Sequence, residues 1–100
     1  MSQPISVARD TIADFCRRHH IRKLSLYGSV LRDDFRPDSD VDVLVEFEPG
    51  KAVGLEIFDL EDELSGLFGG HRVDIVQEKY LYWRLRDGIL ASAKVQYAEG

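Results

Sequence analysis

Gly28-Ser29, ten further residues, and then Asp40-Val41-Asp42 at the head of the apolar run Val43-Leu44-Val45 constrain this chain more than any other stretch. A glycine followed by serine at a strand-to-helix junction lets backbone N–H groups come close to a phosphate-sized anion. Two aspartates at i and i+2 of a strand point to the same side, with Cα atoms roughly 6.5–7 Å apart. Such a pair suits Mg²⁺, which takes one or two carboxylates together with substrate phosphate oxygens. The chain must therefore set a strand end and a strand start side by side. The chemistry this arrangement fits is transfer of part of a nucleoside triphosphate.

The hydrophobic pattern predicts an α+β domain. Ile5, Ala8, Ile12, Phe15 and Cys16 recur at helical spacing, and Arg17-Arg18-His19-His20 closes that helix with positive charge. Lys23 to Tyr27 reads as a strand ending at Gly28. Ser29 is placed to cap a short helix over Val30 to Asp33, and Asp34 to Ser39, with Pro37, reads as a loop. Val41 to Phe47 is a second strand, broken by Glu48-Pro49-Gly50-Lys51. Val53, Ile57, Leu60, Leu64, Leu67 and Phe68 mark a long helix stopped at Gly69-Gly70. Arg72 to Val76 is a third strand, residues 80–91 a last helix, and Lys94 to Tyr97 a short closing strand. One hundred residues without repeat or linker predict a single domain over residues 1–100, with a small mixed sheet and helices packed on it.

Composition narrows the function. At 44% hydrophobic and 31% charged residues the chain reads as globular. A net charge of −5 weighs against binding duplex nucleic acid, because such proteins carry a basic face. It leaves room for a triphosphate whose charge a cation offsets. Cys16 is the single cysteine, which excludes an internal disulfide and a cysteine zinc cluster. No apolar run approaches the roughly 18 residues of a membrane span, and no signal-peptide pattern opens the chain, so a cytoplasmic location is expected.

Asp74 adds the third carboxylate. It lies between Val73 and Ile75, as Asp42 lies between Val41 and Val43, and an unpaired aspartate in so apolar a strand is costly if it faces the core. If the third strand lies beside the second, Asp74 joins Asp40 and Asp42. Three carboxylates that close repel, and divalent cations remove the penalty. Asp40 and Asp42 would hold the ions. Asp74 would share one and take the base position for an attacking hydroxyl. Any one of these aspartates alone reads as a structural strand-end residue; all three, at this spacing after Gly28-Ser29, do not.

The stretch from Gly28-Ser29 through Asp40-Val41-Asp42-Val43-Leu44-Val45, with Asp74 beyond it, resembles the DNA polymerase β-like nucleotidyltransferase superfamily and its minimal nucleotidyltransferase subgroup. The likeness covers nearly the whole chain. It implies a polymerase β-like core, a triphosphate held by Gly28, Ser29 and Arg32, and Mg²⁺ bound by Asp40, Asp42 and Asp74. It also implies the antitoxin half of a two-component module. In that reading AMP passes from ATP to a hydroxyl, a tyrosine's, on a partner HEPN-domain RNase toxin and neutralises it. Contact masking of the toxin without catalysis, and transfer to a small molecule or an RNA end, are the alternatives.

Other features have plainer readings. Glu56, Asp59, Glu61, Asp62 and Glu63 read as a solvated helix face, or more sharply as a docking surface for a basic partner. His19 and His20 read as a surface pair at a helix C-terminus. Tyr80, Tyr82 and Trp83 are expected to pack in the core, with one of them left for an interface. Cys16 lies on the apolar stripe of the first helix and reads as core.

Overall fold

The structure is a computed structural model that describes residues 8–28, 40–51 and 53–99. Four strands, β1 (Ile21–Tyr27), β2 (Val41–Phe47), β3 (Val73–Gln77) and β4 (Lys94–Ala98), form one sheet in the order β3-β2-β1-β4. β1 runs antiparallel to both β2 and β4, whereas β2 and β3 are parallel. The sheet is therefore mixed, as the sequence predicts. A parallel pair requires a crossover, and the helix α2 (Glu56–Leu67) supplies it between β2 and β3.

Alternation along the strands divides the sheet into two faces. Leu24 and Leu26 of β1, Val41, Val43 and Val45 of β2, and Val73 and Ile75 of β3 point to one side and are buried. The helix α1 (Arg9–Arg18) places Ile12, Phe15 and Cys16 on them, and α2 adds Leu60 and Leu64, with Phe68 just beyond its end. Burial pushes the Cys16 thiol up to about 12, in keeping with a core residue. The two helices are tied together where Glu63 meets Arg18 and His19. α2 also guards a sheet edge: the Glu61 carboxylate accepts the Ile75 N–H at 2.8 Å, occupying a donor that an edge strand would otherwise present to a neighbouring chain.

The second face carries Ser25 and Tyr27, Asp42 and Leu44, and Asp74. Ser25 and Leu44 are register partners and both are buried, yet Leu44 stands outside the main core cluster. The helix α3 (Trp83–Ser92) links β3 to β4, which run in the same direction at opposite edges. A right-handed crossover that returns across the sheet puts α3 on the face opposite α2. In keeping with this, the half-buried Ile89 and Leu90 of α3 are not part of the α1–α2 cluster.

Several boundaries differ from expectation. The last helix does not run over 80–91. A 3-10 turn covers Glu78–Tyr80, Leu81 and Tyr82 are extended, and α3 begins at Trp83. The extended Tyr82 sits at the N-cap position, with φ −61° and ψ 126°. α2 begins at Glu56 rather than Val53, because Gly54 and Leu55 form the turn that leads into it. The short helix expected over Val30 to Asp33 lies outside the described residues.

Candidate active site

The site is a row across three strands. Tyr27 pairs with Asp42 across the antiparallel β1–β2 ladder, and Asp42 pairs with Asp74 across the parallel β2–β3 ladder. Adjacent strands lie about 4.8 Å apart, and side chains at paired positions share a face. Tyr27, Asp42 and Asp74 therefore stand side by side on the second face. The Tyr27 phenol is raised above its ordinary range by its burial first, and then by the negative charge of Asp42 and of Asp74.

Gly28 ends the row. Its φ is +78°, a left-handed conformation that costs glycine nothing. A Cβ on this residue would lie 2.5 Å from Oδ2 of Asp42. Glycine is thus needed to let the Asp42 carboxylate lie against the end of β1, a role that the Gly-Ser motif alone did not reveal. The structure brings Asp42 and Asp74 together as expected, because β3 does lie beside β2. Asp40 is exposed and immediately precedes β2. Ser29 and Arg32 lie outside the described residues. Among the described residues, no three His, Cys, Asp or Glu side chains form a group that could hold a metal ion. Two carboxylates in register on adjacent strands, one of them packed against Gly28, do fit the donor set that Mg²⁺ takes when phosphate oxygens complete its shell.

Tyr27 is a member of this row that motif reading did not single out. Its signal was available: it precedes Gly28, and strand alternation sets it on the face opposite Leu24 and Leu26. Other expectations changed too. Of the five acids on α2, Glu61 is engaged by the Ile75 N–H, Glu63 by Arg18 and His19, and Glu56 by Lys51 at 3.4 Å. Little of a continuous acidic docking face remains. His19 is a pairing residue that also packs on Phe15, with ring centroids 4.7 Å apart. The expectation that Tyr80, Tyr82 and Trp83 pack mostly in the core is overturned: they are 70%, 57% and 70% exposed. The 3-10 turn and the extended Tyr82 interrupt the helix expected here, so the helical spacing that suggested burial does not apply.

A mixed sheet that holds paired carboxylates across parallel strands, beside a glycine-terminated strand, defines a nucleotidyltransferase core. The chain belongs to that family: residues 9–95 match the nucleotidyltransferase domain. It is 34% identical over 76 residues to a protein of Methanocaldococcus jannaschii assigned by name to the protein adenylyltransferases, a match covering 76% of this chain and 80% of that one. Among solved structures it is similar to a minimal nucleotidyltransferase, with 42% identity, a TM-score of 0.70 and 85% of each chain covered. It shares its fold with a structure of a tri-AMPylated Shewanella oneidensis HEPN toxin in complex with an MNT antitoxin, at 17% identity and a TM-score of 0.65, over 90% of this chain and 69% of that chain. No helix among the described residues is long and apolar enough to cross a membrane.

Proposed function

We propose that this chain, acting as one minimal nucleotidyltransferase domain, is an antitoxin that transfers AMP from ATP to a tyrosine hydroxyl of a HEPN-type RNase toxin. The observation that carries this reading is the Asp42–Asp74 pair in register, with the Asp42 carboxylate packed against Gly28. Membership of the family and the adenylyltransferase name of a 34% identical relative support it.

Gly28, Ser29 and Arg32 hold the triphosphate. Asp42 and Asp74, with Asp40 at the mouth of β2, are the residues that would hold Mg²⁺. Bound there, the cation would offset phosphate charge and polarise the α-phosphate for attack. The acceptor oxygen forms a bond to the α-phosphorus, the bond from that phosphorus to the bridging oxygen of the β-phosphate breaks, and pyrophosphate leaves. Asp74 occupies the position to take the acceptor's proton. Tyr27 borders the carboxylates on the β1 side.

The test follows ATP labelled at the α-phosphate, with Mg²⁺, into the adjacent gene's product, for the wild type and Asp42→Asn. Label on the partner that disappears in the variant is the expected result. A stable complex with no label on either protein overturns the transfer reading and leaves neutralisation by contact, a second reading that the exposed aromatic residues favour.

A further inference from the structure

We propose that the strip formed by the 3-10 turn and the first turn of α3 is the docking surface for the acceptor protein, and that the occupant presents an apolar surface rimmed by acidic side chains. This inference rests on the reading that the acceptor is a protein.

The strip is an apolar surface that the chain itself leaves uncovered. Tyr80 is 70% exposed, Tyr82 57%, Trp83 70% and Leu85 59%. α3 is ten residues long and none of them is buried. A helix this short is marginal without a packed face, so cover from another molecule would stabilise it. Single exposed apolar residues are ordinary, but four within six positions form a contiguous feature that marks an interaction site. Tyr, Trp and Arg are also the residue types that dominate the energetics of protein interfaces.

Charge selects the occupant. From Lys79 to Arg86 the chain carries three cationic residues and no acid, although its net charge is −5. Arg86 is taken up by Glu78, whose backbone carbonyl accepts from it at 3.1 Å. Lys79 and Arg84 make no ion pair among the described residues. Each lies against an aromatic face instead: Lys79 Nζ is 5.2 Å from the Tyr80 ring centroid, and Arg84 Cζ is 5.0 Å from that of Trp83. Two cations on an aromatic floor complement a few carboxylates around an apolar patch. They are too few for a nucleic-acid backbone, which calls for a broad basic face.

Position points to the acceptor rather than to an unrelated partner. The right-handed crossover from β3 to β4 sets α3 on the side of the sheet that carries the Asp42–Asp74 row. From Asp74 to Gln77, where β3 ends, is about 10 Å at ~3.3 Å per residue, and the strip begins at the next residue. A typical protein interface covers on the order of 800 Å² per partner, a patch about 30 Å across. One protein seated on the strip can therefore also present a hydroxyl to the carboxylates. A small hydroxylated acceptor cannot span both.

The experiment uses the full chain and its acceptor protein. Trp83→Ala with Tyr80→Ala removes the anchors, and Arg84→Glu, on an exposed side chain, reverses the charge with little risk to folding. Three quantities are read: acceptor Kd by calorimetry, AMP transfer resolved into kcat and KM for the acceptor, and ATP affinity. Both variants should weaken acceptor binding at least tenfold and raise KM in proportion, with ATP affinity and kcat near the wild type. An unchanged acceptor Kd and KM overturn the proposal while transfer itself stands. A parallel loss of ATP affinity overturns it by making the strip part of the nucleotide site. A wild-type dimer that the variants dissolve, without effect on acceptor binding, overturns it in favour of a second copy. If the strip variants weaken binding while even the wild type transfers no label, the docking surface stands and the transfer reading falls.

Discussion

The two faces of the sheet have been put to opposite uses. On the first, α1 and α2 close over Phe15, Leu64, Val43 and their neighbours, and Glu61 and Glu63 of α2 find partners within the chain. On the second, Leu44 and Ser25 are buried, but Asp42 and Asp74 stand as adjacent carboxylates, and α3 carries exposed aromatic residues. Apolar burial and satisfied ion pairs make the first face a source of stability. Uncovered rings make the second a cost to the isolated chain, offset where a partner covers them. Stability and function should therefore separate by face.

The sharpest test of that separation is Asp42→Asn. Transfer should fall on the order of 10³-fold or more, about 4 kcal/mol in the barrier, if Asp42 holds Mg²⁺ as proposed. Thermal stability should stay near the wild-type value, because the change conserves the shape of a side chain outside the main core. Calorimetric Tm and labelled-AMP transfer, measured on one preparation, check both; a large drop in Tm would break the comparison. On the first face, Leu64→Ala should do the reverse. It removes a fully buried side chain from the contact of α2 with the sheet and should cost about 3 kcal/mol in denaturant unfolding. The folded fraction should transfer AMP at close to the wild-type rate.

Gly28→Ala lies where the faces meet, at the end of a core strand and against a site carboxylate. The new methyl would clash with Oδ2 of Asp42 and impose a positive φ on alanine, so about 2 kcal/mol of stability should be lost. Transfer should fall as well, because relief of the clash displaces Asp42. A variant that loses stability but keeps full transfer would show that the Asp42 position is not critical.

The same division explains what could be read from the sequence. The first face was legible because its signal is periodic. Ile12, Phe15 and Cys16, and then Leu60, Leu64 and Phe68, repeat at helical spacing, and each is buried. β2 was legible over Val41–Phe47, and the pairing of Asp42 with Asp74 followed once β3 was set beside β2. The second face was harder. Tyr27 becomes a member of the row only through register with Asp42, which is a long-range fact. Tyr80, Tyr82 and Trp83 have core-like chemistry, and only the tertiary path of the chain leaves them outside. The acids of α2 divide. Glu56, Asp59 and Asp62 are exposed, as a solvated face requires, whereas Glu61 and Glu63 are engaged because β3 and the end of α1 lie within reach.

Glu63 provides the smallest effect and an independent handle on the first face. Its carboxyl is held below the usual carboxylate range by the hydrogen bond from Arg18, with His19 adding to it. A carboxylate whose pKa is lower folded than unfolded contributes stability that is fully present above the unfolded value, about 4.5, and is lost as pH falls through the lower, folded value. The contribution is modest, because Arg18 and Glu63 are 49% and 33% exposed and solvent screens the pair. Glu63→Gln should therefore cost about 0.5–1 kcal/mol near neutral pH, an effect that shrinks with added salt. Once pH falls below that folded value the wild type and the variant should converge. Urea midpoints at pH 7 and at successively lower pH measure the difference directly. A gap that persisted at the lower pH would mean that Glu63 stabilises the α1–α2 contact by packing rather than by charge.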